Sequence, residues 1–354
     1  MSPADAKRFY ASPEADQIHG LAHLAAEVLP RWGLHGAKLT PAAYRENMTF
    51  RVDADARGCF ALRIHQAGYR SDAEIESELA FMSALRERGV RTPEVVAARD
   101  GERLVVAASP DVPEARQCDL FEWIEGQLLR ATGEVSPRDS HELAQVYTDL
   151  GRQAAAIANA AEDWPRPANF TRPVWDAEGI FGKSANLGDW RASQGLSDEQ
   201  RQLFERLAER LARDLAAFGR DRDRFGLCHG DFLPENLMVA DGGLRLIDFD
   251  DCGEGWYLLD FATALFDLLG EPGFDACLEA MVAGYREQRT LPEAHLALLP
   301  SFFLARALSY LGWCASRTHL AKAHTIAPRL LAALEALAPA YLGDGGERGG
   351  EAVS

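Results

Sequence analysis

A chain of 354 residues is long for one hydrophobic core, so two lobes or domains are expected. Its composition, 47% hydrophobic and 26% charged, is that of an ordinary soluble globular protein. A net charge of −17 argues against a nucleic-acid partner, because phosphates would be repelled; it suits a cationic substrate as well as it suits solubility alone.

Residues 1 to about 12 are polar and expected to be mobile, and residues 1–17 carry no charged-then-apolar leader pattern. An amphipathic helix should follow, with Ile18, Leu21, Leu24, Ala25 and Val28 at helical spacing and a stop at Pro30. Strands are expected at 37–40, 47–52 and 59–65, with a turn over 53–58. The loop 41–47 between the first two contains Asn47. Alternation along the third strand puts Ala61 and Arg63 on one face and Phe60, Leu62 and Ile64 on the other.

Residues 72–89 read as a helix with the stripe Ile75, Leu79, Met82 and Leu85, ended by Gly89. Glu78 lies three past Ile75 and four before Met82, so it points inward with that stripe. A charge there needs a partner, and Arg63 is the candidate; Glu74 and Glu76 are solvated competitors. Strands at 95–98 and 103–106 around Asp100-Gly101 precede residues 120–126, which read as a connection between lobes. Phe121 and Trp123 there serve packing or nucleobase contact.

From Ser136 the pattern turns helical, with long amphipathic stretches at 139–160 and 198–218, the second seamed by Phe204, Leu207, Leu211 and Leu215. Residues 164–190 are aromatic and rich in Pro and Gly, and are expected to be irregular. Trp175 and Trp190 fit core packing better than substrate stacking. Further helices are expected at 261–269, capped by Asp260, then at 274–286, 296–317 and 321–337. The apolar run 296–315 contains Pro300 and Arg306, so it reads as a buried helix and not a membrane span; Arg306 and Arg317 are placed to hold acidic groups near the site. The glycine-rich tail 343–354 is expected to be disordered. Six cysteines (59, 118, 228, 252, 277, 314) lack metal-ligand spacing and fit reduced thiols in a cytoplasm, with Cys228 and Cys252 as packing residues.

The informative stretch is 227–260, LCHGDFLPENLMVADGGLRLIDFDDCGEGWYLLD. Apolar strand ends alternate there with polar turns, including Asp241-Gly242-Gly243. Asp231 lies in His229-Gly230-Asp231, Asn236 follows five residues on, and Asp248 closes the apolar run 244–247. Asp, Asn five later, then Asp-Phe after a short strand is the order kinases use for phosphoryl transfer. The first Asp meets the acceptor hydroxyl. The Asn and the second Asp supply the hard oxygen donors magnesium needs. His229 fits orientation of its own turn by hydrogen bonding. No Gly-x-Ser-x-Gly elbow supports a serine hydrolase, and no Gly-x4-Gly-Lys-Ser/Thr loop supports a P-loop ATPase.

HGDFLPENLMV followed by LRLIDFDDCGEGWYLLDFATAL resembles the aminoglycoside phosphotransferase family, which includes choline, homoserine and fructosamine kinases. The resemblance is sharp over 227–265, diffuse over 39–126 and faint elsewhere. It implies an α+β, protein-kinase-like two-lobed fold, with a small N-terminal antiparallel-sheet lobe (1–125) and a larger helical C-terminal lobe (126–342). It further implies ATP and magnesium as cofactors, Asp231 as catalytic base, and Asn236 and Asp248 as metal ligands. Ala61-Leu62-Arg63 fits the family's nucleotide strand with Arg in place of the usual Lys, and Glu78 would steady that Arg over the phosphates. The loop holding Asn47 lacks the protein-kinase glycine motif.

Asp250, Asp251 and Glu254 crowd the exit of the metal-binding turn, where an amine-bearing alcohol can be held by ionic hydrogen bonds; solvation or helix capping is the plain alternative. The expected activity is a small-molecule kinase for an amino alcohol, amino acid or aminoglycoside-like hydroxyl. The protein is expected to be cytoplasmic, a monomer or homodimer, with no nucleic-acid or membrane partner. Two alternatives stay open: a stress-response-type Ser/Thr protein kinase of the same fold, and a non-catalytic nucleotide-binding regulator.

Overall fold

The computed structural model describes residues 3–129, 140–240 and 243–343. The expected turn residues Asp241 and Gly242 and the tail beyond Gly343 lie outside these. By internal contacts the described chain divides into two compact units. The first takes residues up to 129 together with 164–172 and 237–250; the second takes the remainder.

In the first unit, α1 (Pro3–Ala11) and α2 (Glu14–Val28) precede β1 (Lys38–Tyr44), β2 (Met48–Asp53), β3 (Cys59–Ile64), α3 (Asp72–Glu87), β4 (Val105–Ala107), β5 (Arg116–Glu122) and β6 (Gln127–Leu128). The first five strands form one antiparallel sheet in the order β1-β2-β3-β5-β4. Its register follows from burial. Met48, Phe50 and Val52 alternate inward on β2, and Leu62 and Ile64 join them with Leu24 and Val28 of α2. Burying each such side chain is worth about 2 kcal/mol, whereas strand propensity differs by only about 1 kcal/mol, so the apolar face decides the register. Helix α3 starts at a capping box in which Ser71 and Glu74 satisfy each other's backbone amides, and Gly89 follows it at φ +84°.

Four expectations for this unit are corrected. The polar N-terminal segment forms α1, pinned by the Tyr10 hydroxyl donating to Glu114 at 2.9 Å. β1 runs on to Tyr44 through a register shift between Pro41 and Ala43, so most of the expected loop 41–47 is strand. Residues 95–98 form no regular strand: Val95 makes a single bridge to Phe121. Residues 120–122, read as part of a connection, belong to β5, because cross-strand pairing with β3 absorbs them.

Segment 164–172 returns to this unit. The Trp164 ring lies 5.6 Å from Phe81 of α3, and the Thr171 amide donates to the Ser77 hydroxyl at 3.0 Å. The strands Leu237–Ala240 and Gly243–Leu246 pair antiparallel, and β6 pairs with the former.

The second unit contains α4 (Ser140–Glu162), α5 (Ala177–Phe181), α6 (Asp198–Phe218), α7 (Tyr257–Leu265), α8 (Phe274–Arg286), α9 (Glu293–Leu296), α10 (Leu299–Ser316) and α11 (Ala321–Leu342). A small sheet joins Phe225–Cys228 antiparallel and Val174–Trp175 parallel to Gly253–Trp256. Helix α6 buries Phe204, Leu207, Leu211 and Leu215, the seam expected from its spacing. Helices α4 and α8 meet where side chains vanish: a Cβ on Gly151 would fall 2.0 Å from the Met281 carbonyl oxygen, and one on Gly284 1.9 Å from that of Thr148.

Three expectations change here. Residues 164–190 are less irregular than read, since they include strand Val174–Trp175 and α5; Trp175 and Trp190 are both core residues. The expected helix 296–317 is α9 and α10, separated before Pro300. Residues 293–316 are long and apolar enough to cross a membrane, but α10 is mostly buried in the unit. Helix α7 begins at Tyr257, so Asp260 lies within its first turn and does not precede it.

Candidate active site

In the second unit, strand Phe225–Cys228 delivers the chain into His229-Gly230-Asp231. Gly230 has φ +80°, and a Cβ there would lie 2.2 Å from the Asp251 carbonyl oxygen, so both conformation and space require glycine. The turn is held from below by Asp260, whose carboxylate accepts the backbone amides of His229 at 3.0 Å and Gly230 at 2.9 Å. This replaces the capping role expected for Asp260: its partners lie about thirty residues upstream. Burial pushes its carboxyl up to about 6, against the opposing pull of those two amides and Arg306. His229 does orient its turn, with Nδ1 accepting the Asp231 amide at 3.3 Å.

Asp231 is gripped on both carboxylate oxygens. Arg306 Nη2 donates to Oδ1 at 2.9 Å and to the Gly230 carbonyl at 3.0 Å; Asn236 Nδ2 donates to Oδ2 at 2.8 Å and to the Asp231 carbonyl at 2.9 Å. Burial raises the Asp231 carboxyl well above the usual carboxylate range; Arg306 opposes this and the charge of Asp251 adds to it. Arg306 itself is fully buried on α10, its guanidinium 4.4 Å from the Tyr310 ring centroid and 5.8 Å from that of Trp175. Of the two arginines read as acid holders, Arg306 binds Asp231. Arg317 donates to the Leu187 carbonyl and the Ser316 hydroxyl.

The Asp251 carbonyl accepts Trp175 Nε1 at 2.8 Å, and its charge acts on Asp231 and Arg306. Glu254 lies in the small sheet opposite Leu227 and Val174. Glu235 accepts Lys322 Nζ at 3.0 Å on both oxygens.

The first unit holds the other candidates. Asp248 follows strand Gly243–Leu246 in the left-handed region, φ +63°. Asp250 is buried and accepts Asn47 Nδ2 at 3.3 Å, while the Asn47 Oδ1 accepts the Gln66 amide at 3.1 Å. The backbone around Asp250 is fixed by Arg172, which donates to the carbonyls of Phe249 and Asp250.

Arg63 and Glu78, joined on the arithmetic of strand and helix periods, meet at 2.8 Å. Ala61 lies opposite Phe121 in the β3–β5 register. What the sequence reading missed is Asp119, opposite Arg63 on β5 and fully buried. It takes Arg63 in two parallel bonds, Nε to Oδ1 at 3.0 Å and Nη2 to Oδ2 at 2.7 Å, and also meets His65 Nε2 at 2.9 Å. The Arg63 guanidinium and the contact with His65 hold the Asp119 carboxyl down at about 2 despite burial. The one signal that could have found it is a charge inside the apolar run around Cys118 and Leu120.

With this geometry in view, the comparisons with known proteins place the chain. Residues 39–297 match the model of the phosphotransferase enzyme family APH, and the chain belongs to that family. A solved microcompartment-associated aminopropanol kinase is 35% identical, with a TM-score of 0.79 over 92% of this chain and 99% of that one. A homoserine kinase of Phenylobacterium zucineum is 27% identical over 75% of both proteins. An amicoumacin kinase, hAmiN, solved with AMP-PNP, Ca2+ and Ami, is 20% identical with a TM-score of 0.72 over 93% of this chain and 96% of that one. The fold is therefore protein-kinase-like and α+β, with an antiparallel-sheet N-terminal lobe and a helical C-terminal region, and the protein is a small-molecule kinase.

Proposed function

We propose that the chain transfers the γ-phosphoryl group of ATP, with magnesium, to a hydroxyl of a small amine-bearing molecule: an amino alcohol, an amino acid or an aminoglycoside-like acceptor. In this reading residues 1–125 serve the nucleotide and 126–342 carry the catalytic and metal-binding loops, in a cytoplasmic protein. The six cysteines are all free and five are buried, which supports a reducing compartment.

The observation that carries the reading is the state of Asp231. An ionised carboxylate offers about four lone-pair sites. Arg306 and Asn236 each take one, on opposite oxygens, so the group is aimed yet keeps acceptor capacity for a hydroxyl proton. Asp231 accepts that proton as the acceptor oxygen bonds to the γ-phosphorus and the bond to the ADP oxygen breaks. Such transfer is mostly positioning and charge stabilisation, which suits a loop clamped by Asp260, Arg306 and Asn236.

Asn236 and Asp248 fit magnesium by donor chemistry, as a hard amide oxygen and a carboxylate. Asn236 spends its amide nitrogen on Asp231, which leaves Oδ1 as the end suited to a cation. When bound, magnesium neutralises phosphate charge. Arg63, steadied by Glu78, presents a guanidinium to phosphate oxygens, while Ala61 and Asn47 border the nucleotide. Asp250, Asp251 and Glu254 favour an acceptor bearing an ammonium group; the aminopropanol kinase likeness supports the same class.

The test is magnesium-dependent ADP release from ATP across amino alcohols, amino acids and aminoglycosides, with Asp231→Ala as control. Acceptor-dependent release that the variant lacks is expected. Nucleotide binding without release for any small acceptor would reject the reading.

A further inference from the structure

Arg63 is held more completely than a pairing with Glu78 requires. Of the five N–H groups of a guanidinium, three are committed to buried carboxylates: Nε and Nη2 to Asp119, and Nη1 to Glu78. The two parallel bonds to Asp119 orient the group, and its carbon lies over the Phe121 ring, 5.0 Å from the centroid. Asp119 and Phe121 are two apart on β5 and so share a face, directly opposite Arg63 and Ala61 on β3. One strand thus supplies the fork that aligns the guanidinium and the ring over which its carbon lies. Asp119 is fixed in turn by His65, two residues beyond Arg63.

This network explains an arginine where the family's nucleotide strand usually carries lysine. An ammonium is a point donor and cannot fill two parallel sites on a planar carboxylate, whereas a guanidinium fills them and retains N–H groups on both terminal nitrogens. Resting on the proposed role of Arg63 as a phosphate contact, we infer that Asp119 is a positioning residue for nucleotide phosphate. It converts a flexible cation into a fixed two-nitrogen donor and makes arginine obligatory at position 63.

The experiment compares the affinities of ATP and adenosine, both with magnesium, for the full-length chain and for Arg63→Ala, Arg63→Lys, Asp119→Asn and the double variant Arg63→Ala/Asp119→Asn. ATP reports the phosphates; adenosine reports the base and ribose, which a general disturbance of the lobe would also weaken. Arg63→Ala is expected to weaken ATP about tenfold or more and leave adenosine unchanged. Asp119→Asn should weaken ATP in the same selective way, and the double variant should lose little beyond Arg63→Ala alone. Arg63→Lys should fall close to Arg63→Ala although it keeps the charge.

Selective loss in Arg63→Ala with ATP binding retained in Asp119→Asn or in Arg63→Lys would overturn the positioning role and leave the phosphate contact standing. Equal weakening of ATP and adenosine in Asp119→Asn would overturn it too, as the mark of a purely structural residue. Unchanged ATP affinity in Arg63→Ala would instead reject the phosphate contact on which the inference rests. The lysine variant keeps Asp119 in place, so the question is answered even if Asp119→Asn does not fold.

Discussion

Arg306 reaches Asp231 from the middle of an otherwise apolar helix, its Nη2 2.9 Å from Oδ1 and 3.0 Å from the Gly230 carbonyl. A fully buried arginine is expensive unless its partners repay the lost hydration, so the position is understandable only through the acid it holds. Arg306→Met, similar in length but uncharged, is expected to lower kcat at least about tenfold, because Asp231 loses one of its two aligning bonds. KM for ATP should change much less. Circular dichroism separates this from unfolding, and a folded variant with wild-type kcat would remove Arg306 from the positioning of the base.

Asp260 gives a pH signature with a definite sign. Its folded carboxyl titrates near 6 against an ordinary value of 3.8, so the folded protein binds this proton more tightly than the unfolded chain does. The contribution of Asp260 to stability is therefore greatest below about pH 4 and declines as pH rises to about 6, by about 3 kcal/mol in all. Asp260→Asn removes the titration and keeps an acceptor oxygen for one of the two amides, which Asp260 takes on separate oxygens. Urea unfolding between pH 4 and 7 should show the wild-type decline reduced in the variant; parallel profiles would mean Asp260 does not carry it.

The two arginine sites also show where sequence reading stops. Arg63–Glu78 was legible because each residue's direction follows from its own element: period two on the strand, 3.6 on the helix. The closeness of Asn236 to Asp231 was legible because one short turn links them. Asp119 was not, since it acts through the register of β3 against β5, a pairing of residues 56 apart in the chain. Taking residues 120–126 for a connection hid the strand that carries it. Asp260 failed for a related reason. Its position at a helix start suggested a local cap, whereas a tertiary contact with the His229 and Gly230 amides took precedence.

The acidic residues after Asp248 are expected to differ in their second effect. Asp250 lies with Asn47 and adds to the charge acting on Arg63; Asp251 acts on Asp231 and Arg306. Asp251→Asn should raise KM for a cationic acceptor several-fold with little change for ATP, because a charge-assisted hydrogen bond is about twice as strong as a neutral one. Asp250→Asn should also raise KM for the cationic acceptor and, because its charge acts on Arg63, should shift KM for ATP as well. Steady-state kinetics with both substrates varied decides the matter. An unchanged acceptor KM in Asp251→Asn would eliminate it as the amine-facing group.

Asp248 makes stability and activity separable. Its φ of +63° lies in the left-handed region, where an L-residue with a Cβ pays about 1 kcal/mol and glycine pays nothing. A non-glycine residue held there is commonly retained for its side chain, here the proposed magnesium carboxylate. Asp248→Gly and Asp248→Ala remove the same carboxylate, so both should lack magnesium-dependent ADP release. They differ in backbone strain, and the glycine variant should be the more stable by about 1 kcal/mol in urea. An alanine variant as stable as the glycine variant would show that the turn imposes no strain at this position. Retained release in either would take the carboxylate out of the metal site.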